Sequence, residues 1–314
     1  MNRNTKISKE LRSVEALIKR DFSKENTISG LYKYIFKSNG KKIRAKLCLT
    51  TSSRTKNKEK IKLASVIELL HTATLIHDDV VDESPTRRGI RSVNNVWTNA
   101  HGVLIGDYIY SKAFIYLVDI GNKKILKELA STTNDIAQGE LVQLDAINNV
   151  NITLNKLKKI SYFKTGRLFE AAAKTGAIIA NENKAFNYNV SECAKNLGIL
   201  FQIIDDLLDY SDSKKIGKPV FQDIKEGKVT YPFFYAYKNA STREKKRLKD
   251  LLGVSRDLKS KDLELIKSLE GIKKTKQLAE KYHIKAIEYA KKIKNLDIRK
   301  EMIELADTAL NRDK

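Results

Sequence analysis

The sequence predicts an all-α fold, and three observations carry that prediction. Only 14 Gly and 3 Pro occur in 314 residues, too few turn formers for a strand-and-turn protein of this size. Apolar residues recur at helical rather than alternating spacing along most of the chain. With 41% hydrophobic and 31% charged residues, the composition is globular. A chain this long buries about three quarters of its unfolded surface, so it folds without disulfides or a structural metal.

The elements follow in order. Ile61, Ala64, Ser65, Glu68, Leu69, Thr72, Ala73 and Ile76 keep a 3.6-residue rhythm that runs into an acidic cluster, and Ser84-Pro85 ends that helix. Leu104 to Val118 reads as a helix buried on most sides, closed by a turn at Gly121-Asn122. Ile125 to Leu144 is helical, with Leu126, Leu129, Thr133, Ile136 and Glu140 on successive turns. Leu154 to Ala180 continues through the small residues Ala171 to Ala173 and stops at Asn181-Glu182-Asn183. Cys193 to Tyr210 reads as another buried helix. Gly217-Lys218-Pro219 opens a polar loop, and Tyr231-Pro232 precedes a further apolar run. Leu258 to Ala309 reads as two or three amphipathic helices with Lys-rich outer faces. No long linker and no internal repeat interrupts this, so residues 1–314 are expected to form a single domain with two acidic motifs facing a central cavity.

Charge and cysteine usage narrow the function classes. The net charge is +22, from 60 Lys and Arg against 38 Asp and Glu. Lys supplies 46 of those cations and Arg 14. Direct readers of nucleic-acid bases lean on Arg and interleaved aromatics, so a Lys-rich bias explains the charge better than nucleic-acid binding. Cys48 and Cys193 are isolated, without metal or redox spacing, which fits a reducing, cytoplasmic setting. Met1 to Arg12 is polar and lacks the apolar segment of a signal peptide, and no apolar run is long enough to span a bilayer.

The chemistry concentrates in two motifs of the form D-D-x-x-D: Asp78-Asp79-Val80-Val81-Asp82 and Asp205-Asp206-Leu207-Leu208-Asp209. Composition alone would give this pattern well under once in a chain of this length, and it occurs twice. On a helix Asp78 and Asp82 share a face, as do Asp205 and Asp209. Carboxylates so dense at the end of an apolar helix repel one another, and a hard divalent cation relieves that repulsion. Mg²⁺ suits the task because it takes oxygen ligands and bridges carboxylates to substrate phosphates. A merely solvated acidic helix end fits poorly, since the helix leading into each cluster is apolar. Basic residues to hold phosphate accompany the motifs: Lys41, Lys42 and Arg44, then Arg87 and Arg88, then Lys164 with Thr165, then Lys218 and Lys228. His71 precedes Asp78 by seven residues, two turns along the same face, which puts it at the mouth of the same site. His77 lies beside Asp78 without an assigned role, and His101 and His283 show no partner pattern.

These residues resemble the polyprenyl synthetase family of trans-isoprenyl diphosphate synthases, in particular its long-chain, octaprenyl-type members. "NGKKIRA" at 39–45 is similar to the family's G-G-K-R-x-R-P. "HTATLIHDDVVDESPTRRG" at 71–89 is close to its first aspartate-rich motif and Arg pair. "GDYIYSKAF" at 106–114, "KTGRLFEAA" at 164–172, "FQIIDDLLDY" at 201–210 and "GKPVFQDIKEGKVTYP" at 217–232 follow in the family's order.

The resemblance implies an orthogonal helix bundle around a deep apolar cavity, a homodimer, and Mg²⁺-dependent head-to-tail prenyl transfer with three Mg²⁺ ions in the loaded site. It implies that Lys41, Arg44, His71 and Arg88 hold the diphosphate of isopentenyl diphosphate. It gives Arg87, Lys164, Thr165, Gln202, Lys218 and Lys228 to the allylic diphosphate, and Asp78, Asp82, Asp205 and Asp209 to the metal. A long product is expected to serve a respiratory quinone and to leave through peripheral membrane contact. Ala73 and Thr74, one turn before Asp78, and Leu70 deeper along the helix are expected to wall the growing tail. The first two are small, which leaves the path open for a product of about eight units, one per helical turn.

Four departures stand out. Asn39 replaces the first Gly of the pattern, Lys42 and Ala45 replace Arg and Pro, and Phe221 sits where the last loop carries Gly, a residue whose backbone freedom Phe lacks. The rival readings are a shorter-chain synthase, a terpene cyclase, a non-catalytic partner subunit and a nucleic-acid-binding protein. Two intact D-D-x-x-D motifs speak against a non-catalytic subunit, and Lys41, Arg44 and His71 speak against a cyclase.

Overall fold

Helices dominate the computed structural model, which describes residues 3–20, 24–37, 40–53, 55–210, 221–254 and 260–312. The chain divides into two compact units, one of residues 1–133 with 171–190 and the other of residues 134–170 with 191–314.

The first unit is organised on α4 (Asn57–Val81), which packs against α1 (Arg3–Arg20), α3 (Ile43–Thr51) and α6 (Asn99–Ile120); α2 (Asn26–Ile35) and the short α5 (Val93–Val96) complete the N-terminal helices. Leu63, Ala64, Val66, Ile67, Leu69, Leu70 and Ala73 are all fully buried, and polar Ser65 and Glu68 are buried with them, so the middle of α4 is enclosed on most sides as a core helix. Close approach of α6 depends on small residues. An added Cβ at Gly102 would lie 2.6 Å from Val80 Cγ2, and one at Gly106 would collide with the ring of His77. That ring bonds the Val103 carbonyl and lies 3.4 Å from Asp107, so His77 fastens α4 to α6. Thr98 caps the start of α6 through the His101 N–H, and Gly121, left-handed at φ 68°, ends it.

The expectation of a helix buried on most sides over Leu104–Val118 is corrected. Ile105, Ile109, Ala113 and Leu117 are buried, but Leu104, Ile115 and Val118 are each more than 60% exposed on the outer face. Apolar composition shows that a helix has faces to bury, and does not show what covers them.

After α4 the chain makes the one β-structure among the described residues, a hairpin of β1 (Thr86–Arg87) and β2 (Ile90–Arg91). Its two turn residues, Arg88 and Gly89, both have positive φ, as a two-residue hairpin turn of primed type requires.

Next come α7 (Lys123–Leu144) and α8 (Leu154–Ser161), then a π-helical turn over Tyr162–Gly166, then α9 (Arg167–Ile179). The sequence suggests one helix across Leu154–Ala180, and the π-turn interrupts it. The next helix, α10 (Lys184–Leu208), starts nine residues before its apolar pattern becomes legible. Asn183 Oδ1 accepts the Phe186 N–H there, and Phe186, Tyr188 and Val190 in the first turns alternate instead of keeping a helical period.

The second unit continues with α11 (Gln222–Lys225), α12 (Tyr231–Asn239), α13 (Thr242–Lys249), α14 (Ser260–Ser268), α15 (Gly271–Lys291) and α16 (Leu296–Leu310). Pro232 sits in the first turn of α12, where its missing N–H costs nothing, and Ser241 with Glu244 forms a capping box on α13. The last three are the "two or three" helices of the sequence reading.

Candidate active site

The first aspartate motif closes α4, and its middle residue has a different task from its neighbours. Asp79 is 3% exposed and accepts the Arg87 Nε–H at 2.7 Å. Burial raises its carboxyl pKa, and the Arg87 charge opposes that rise. The Asp79 carbonyl takes the Ser84 N–H and the Asn94 side-chain amide, so this residue ties the helix end to the hairpin. Asp78 and Asp82, one turn apart, lie on a neighbouring stripe and are half-buried. Burial and the Asp78 charge push the Tyr110 hydroxyl up to about 12, which places that ring beside the motif.

Above the Asp79 stripe lies a cavity of about 870 Å³, its open mouth included, lined by Lys42, Glu68, His71, Arg87, Arg88 and Arg91 among others. Arg88 is thrown into it by the left-handed hairpin turn. Gly40 lies directly under its guanidinium, and an added Cβ there would sit 2.7 Å from Nη1. Arg44 Nη1 lies 3.0 Å from His71 Nε2. A guanidinium has no acceptor, so Nε2 accepts and His71 carries its proton on Nδ1. Burial and then the charges of Arg44, Arg88 and Arg87 hold its pKa well below the ordinary value, so the ring is neutral. Of the residues expected to hold isopentenyl diphosphate, His71 and Arg88 line the cavity, Arg44 bonds to His71, and Lys41 is exposed.

In the second unit the π-turn aims two expected residues. Lys164 forms an ion pair with Glu140 at 2.6 Å, and the Thr165 hydroxyl donates to Gln202 Oε1 at 2.6 Å. Gln202 Nε2 donates in turn to Asp206 Oδ1 at 2.8 Å. This chain exists because α10 crosses the π-turn through two glycines. An added Cβ on Gly198 would lie 2.7 Å from the Gly166 Cα and 2.9 Å from the Phe169 Cβ. Gln202 is one turn beyond that contact. Gly198→Ala is therefore expected to cost about 1–3 kcal/mol in denaturant unfolding. Gly30→Ala, where an added Cβ meets nothing within 4 Å in the middle of α2, is expected to stabilise by about 0.5–1 kcal/mol.

The three aspartates of the second motif again differ. Asp206 is buried, which raises its pKa against the Gln202 bond. Asp209 Oδ1 accepts the Gln222 N–H at 2.9 Å and its Oδ2 the Asp223 N–H at 3.1 Å. It thereby caps α11 and anchors the loop that follows, a role the motif alone does not reveal. Asp205 is half-exposed, and Arg312 reaches it at 3.4 Å while lying over the Phe201 ring. Arg312 is a contact that sequence reasoning missed, because 107 residues and no motif connect it to Asp205.

The departure at Phe221 is resolved. Phe221 takes the left-handed conformation, φ 60° and ψ 27°, that the sequence argument denied it. Its buried ring meets Tyr210 edge-on at 5.8 Å and its N–H bonds the Asp209 carbonyl, which together hold a backbone state costly for a non-glycine residue. Lys228 pairs with Glu226 at 2.6 Å. Lys218 lies outside the described residues. Ala73 and Leu70 are fully buried, and Thr74 donates to the His71 carbonyl.

The donor set at both motifs is all oxygen. Among the described residues no group of three or more His, Cys, Asp or Glu side chains forms a closed metal cage. Half-buried Asp78 and Asp82 and half-exposed Asp205 suit a hard cation such as Mg²⁺, which takes one or two carboxylates and completes its shell with water and phosphate.

Comparison with known proteins agrees with this chemistry. The family model described as Polyprenyl synthetase matches residues 25–269. The chain is 38% identical to the octaprenyl diphosphate synthase of Escherichia coli, over 74% of this chain and 73% of that one. It is 40% identical to the all-trans-nonaprenyl-diphosphate synthase (geranyl-diphosphate specific) of Rhodobacter capsulatus, over 71% and 70%. Among solved structures, a polyprenyl synthase from Caulobacter crescentus, complexed with calcium and isoprenyl diphosphate, superposes with a TM-score of 0.91 at 32% identity, over 98% of this chain and 96% of that one.

Proposed function

The chain belongs to the polyprenyl synthetase family, and from that premise we propose that it condenses isopentenyl diphosphate with an allylic diphosphate to give a long all-trans polyprenyl diphosphate of about eight units. The observation that carries this reading is the cavity beside the first aspartate motif, in which Arg88, together with Arg44 held by a neutral His71, supplies positive charge for one diphosphate.

Isopentenyl diphosphate is held by Lys41, Arg44, Arg88 and His71. Lys164, Thr165, Gln202 and Lys228, with Arg87 and Lys218, take the allylic diphosphate. Asp78, Asp82 and Asp205, joined by Asp209, hold three Mg²⁺ ions in the loaded enzyme. When bound, Mg²⁺ supplies positive charge that stabilises the departing diphosphate. The cations of the chain add to that stabilisation as the allylic carbon–oxygen bond breaks. The double bond of isopentenyl diphosphate attacks the allylic carbocation, and loss of a proton to the released diphosphate leaves an allylic diphosphate one unit longer. Buried Leu70, Ala73 and Ile76 keep water from the cation.

Residues 1–314 act as one catalytic domain in this reading. The exposed stripe of Leu104, Ile115 and Val118 on α6 supports a homodimer, since an outward apolar stripe of this kind marks an interface. No described helix is long and apolar enough to cross a membrane. A cytoplasmic enzyme whose product enters the membrane for a quinone side chain completes the proposal.

Ala73→Phe tests the tail's path. A tunnel wall predicts an active enzyme whose products shorten to about three or four units, read by chromatography of the dephosphorylated products. If Ala73 serves only helix packing, the outcome is unchanged product length and a stability loss of about 1–3 kcal/mol.

A further inference from the structure

We propose that Glu68 is a positioning residue for the isopentenyl diphosphate site, which it builds by accepting the Ala45 N–H and so setting the turn that carries Lys41 and Arg44. The inference rests on the function proposed above.

Helix α3 begins without a side-chain cap of its own. Its N-cap residue, Lys42, is left-handed at φ 47° and ψ 40°, and its ammonium is turned away to Glu15 of α1. The first N–H groups of any α-helix have no acceptor within the helix. One of them, that of Ala45, meets Glu68 Oε1 at 3.1 Å. Glu68 is 8% exposed, so this carboxylate rather than bulk water satisfies the donor. Three residues further along α4, His71 receives Arg44 Nη1 at 3.0 Å. Two side chains on successive positions of one helix face therefore grip the same segment, one by its backbone and the other by its guanidinium. Together they fix both where Arg44 stands and where it points.

The identity of residue 45 sharpens the argument. Residue 45 is Ala, in the first turn of the helix, where a Pro would also be accepted. A proline ring presets φ near the helical value and leaves no N–H to satisfy. Alanine leaves φ free and the donor unmet, and Glu68 supplies from a neighbouring helix what the ring would supply locally. Glu68 also lies in the field of Arg44, Lys42 and Arg88. The test must therefore separate acceptance of a hydrogen bond from negative charge.

Steady-state kinetics of the full chain with Mg²⁺, varying each substrate in turn, make that separation. Glu68→Met keeps the volume and removes the acceptor. It is expected to raise KM for isopentenyl diphosphate about tenfold while kcat and the allylic KM stay within about twofold. Glu68→Gln keeps an acceptor oxygen without the charge and is expected to stay within about threefold of wild type. Ala45→Pro added to Glu68→Met is expected to recover most of the lost KM, because the ring replaces the bond. An unchanged KM in Glu68→Met, an equal rise for both substrates, or a Gln variant as impaired as the Met variant would overturn the proposal. If Glu68→Met does not fold, Glu68→Met with Ala45→Pro decides: a KM for isopentenyl diphosphate within about threefold of wild type supports the proposal, and a tenfold rise overturns it. Absence of any turnover by the wild-type chain would instead overturn the function on which the inference rests.

Discussion

Turnover is expected to fall about 10²–10³-fold when either Asp78 or Asp205 is replaced by alanine, with the fold intact by circular dichroism. Each carboxylate would help hold the metal charge at the point where negative charge grows on the departing diphosphate. A site preorganised for that charge loses about 2.7–4 kcal/mol of transition-state stabilisation when one element is removed. Asp205 is half-exposed at the end of α10, so its loss leaves little to unfold. Asp79 is the contrast within the same motif. It is buried against Arg87, and its replacement acts first on stability. Near-normal turnover in both Asp78→Ala and Asp205→Ala would remove the basis for assigning the motifs to metal.

The largest stability effect is expected at Lys60, in the first turn of α4. Its side chain is 1% exposed, and its ammonium meets Glu10 Oε1 at 2.7 Å, joining α4 to α1. Removing one member of a buried ion pair leaves the other charge without its partner. Lys60→Met is therefore expected to cost about 3–5 kcal/mol in urea unfolding. Replacing both, as Lys60→Met with Glu10→Leu, is expected to come within about 1 kcal/mol of wild type or to exceed it, because the desolvation of two charges is avoided. A single variant costing less than about 1 kcal/mol would show that water reaches the pair.

Much of this site was legible in the sequence. The D-D-x-x-D spacing put Asp78 and Asp82 on one stripe of α4, and the order of motifs identified the family that the comparisons show. The middle aspartates were harder to read, because spacing does not distinguish a carboxylate offered to a ligand from one buried against Arg87 or Gln202. The roles of Asp209 and Glu68 depend on backbone N–H groups of other segments, which leave no trace in side-chain patterns. Gly198 could have drawn attention as a glycine inside a buried helix, but its partner, Gly166, lies 32 residues earlier and only the structure brings them together. The exposed face of α6 was misread for a related reason: apolar composition does not show whether a given face of a helix is covered.

The most direct test of the central claim is the product of the purified wild-type chain given radiolabelled isopentenyl diphosphate, an allylic primer and Mg²⁺. The account predicts Mg²⁺-dependent extension that ends in a polyprenyl chain of about eight units. Extension that stops at the farnesyl chain would contradict the long-chain reading, and no incorporation of label would contradict the proposed function itself.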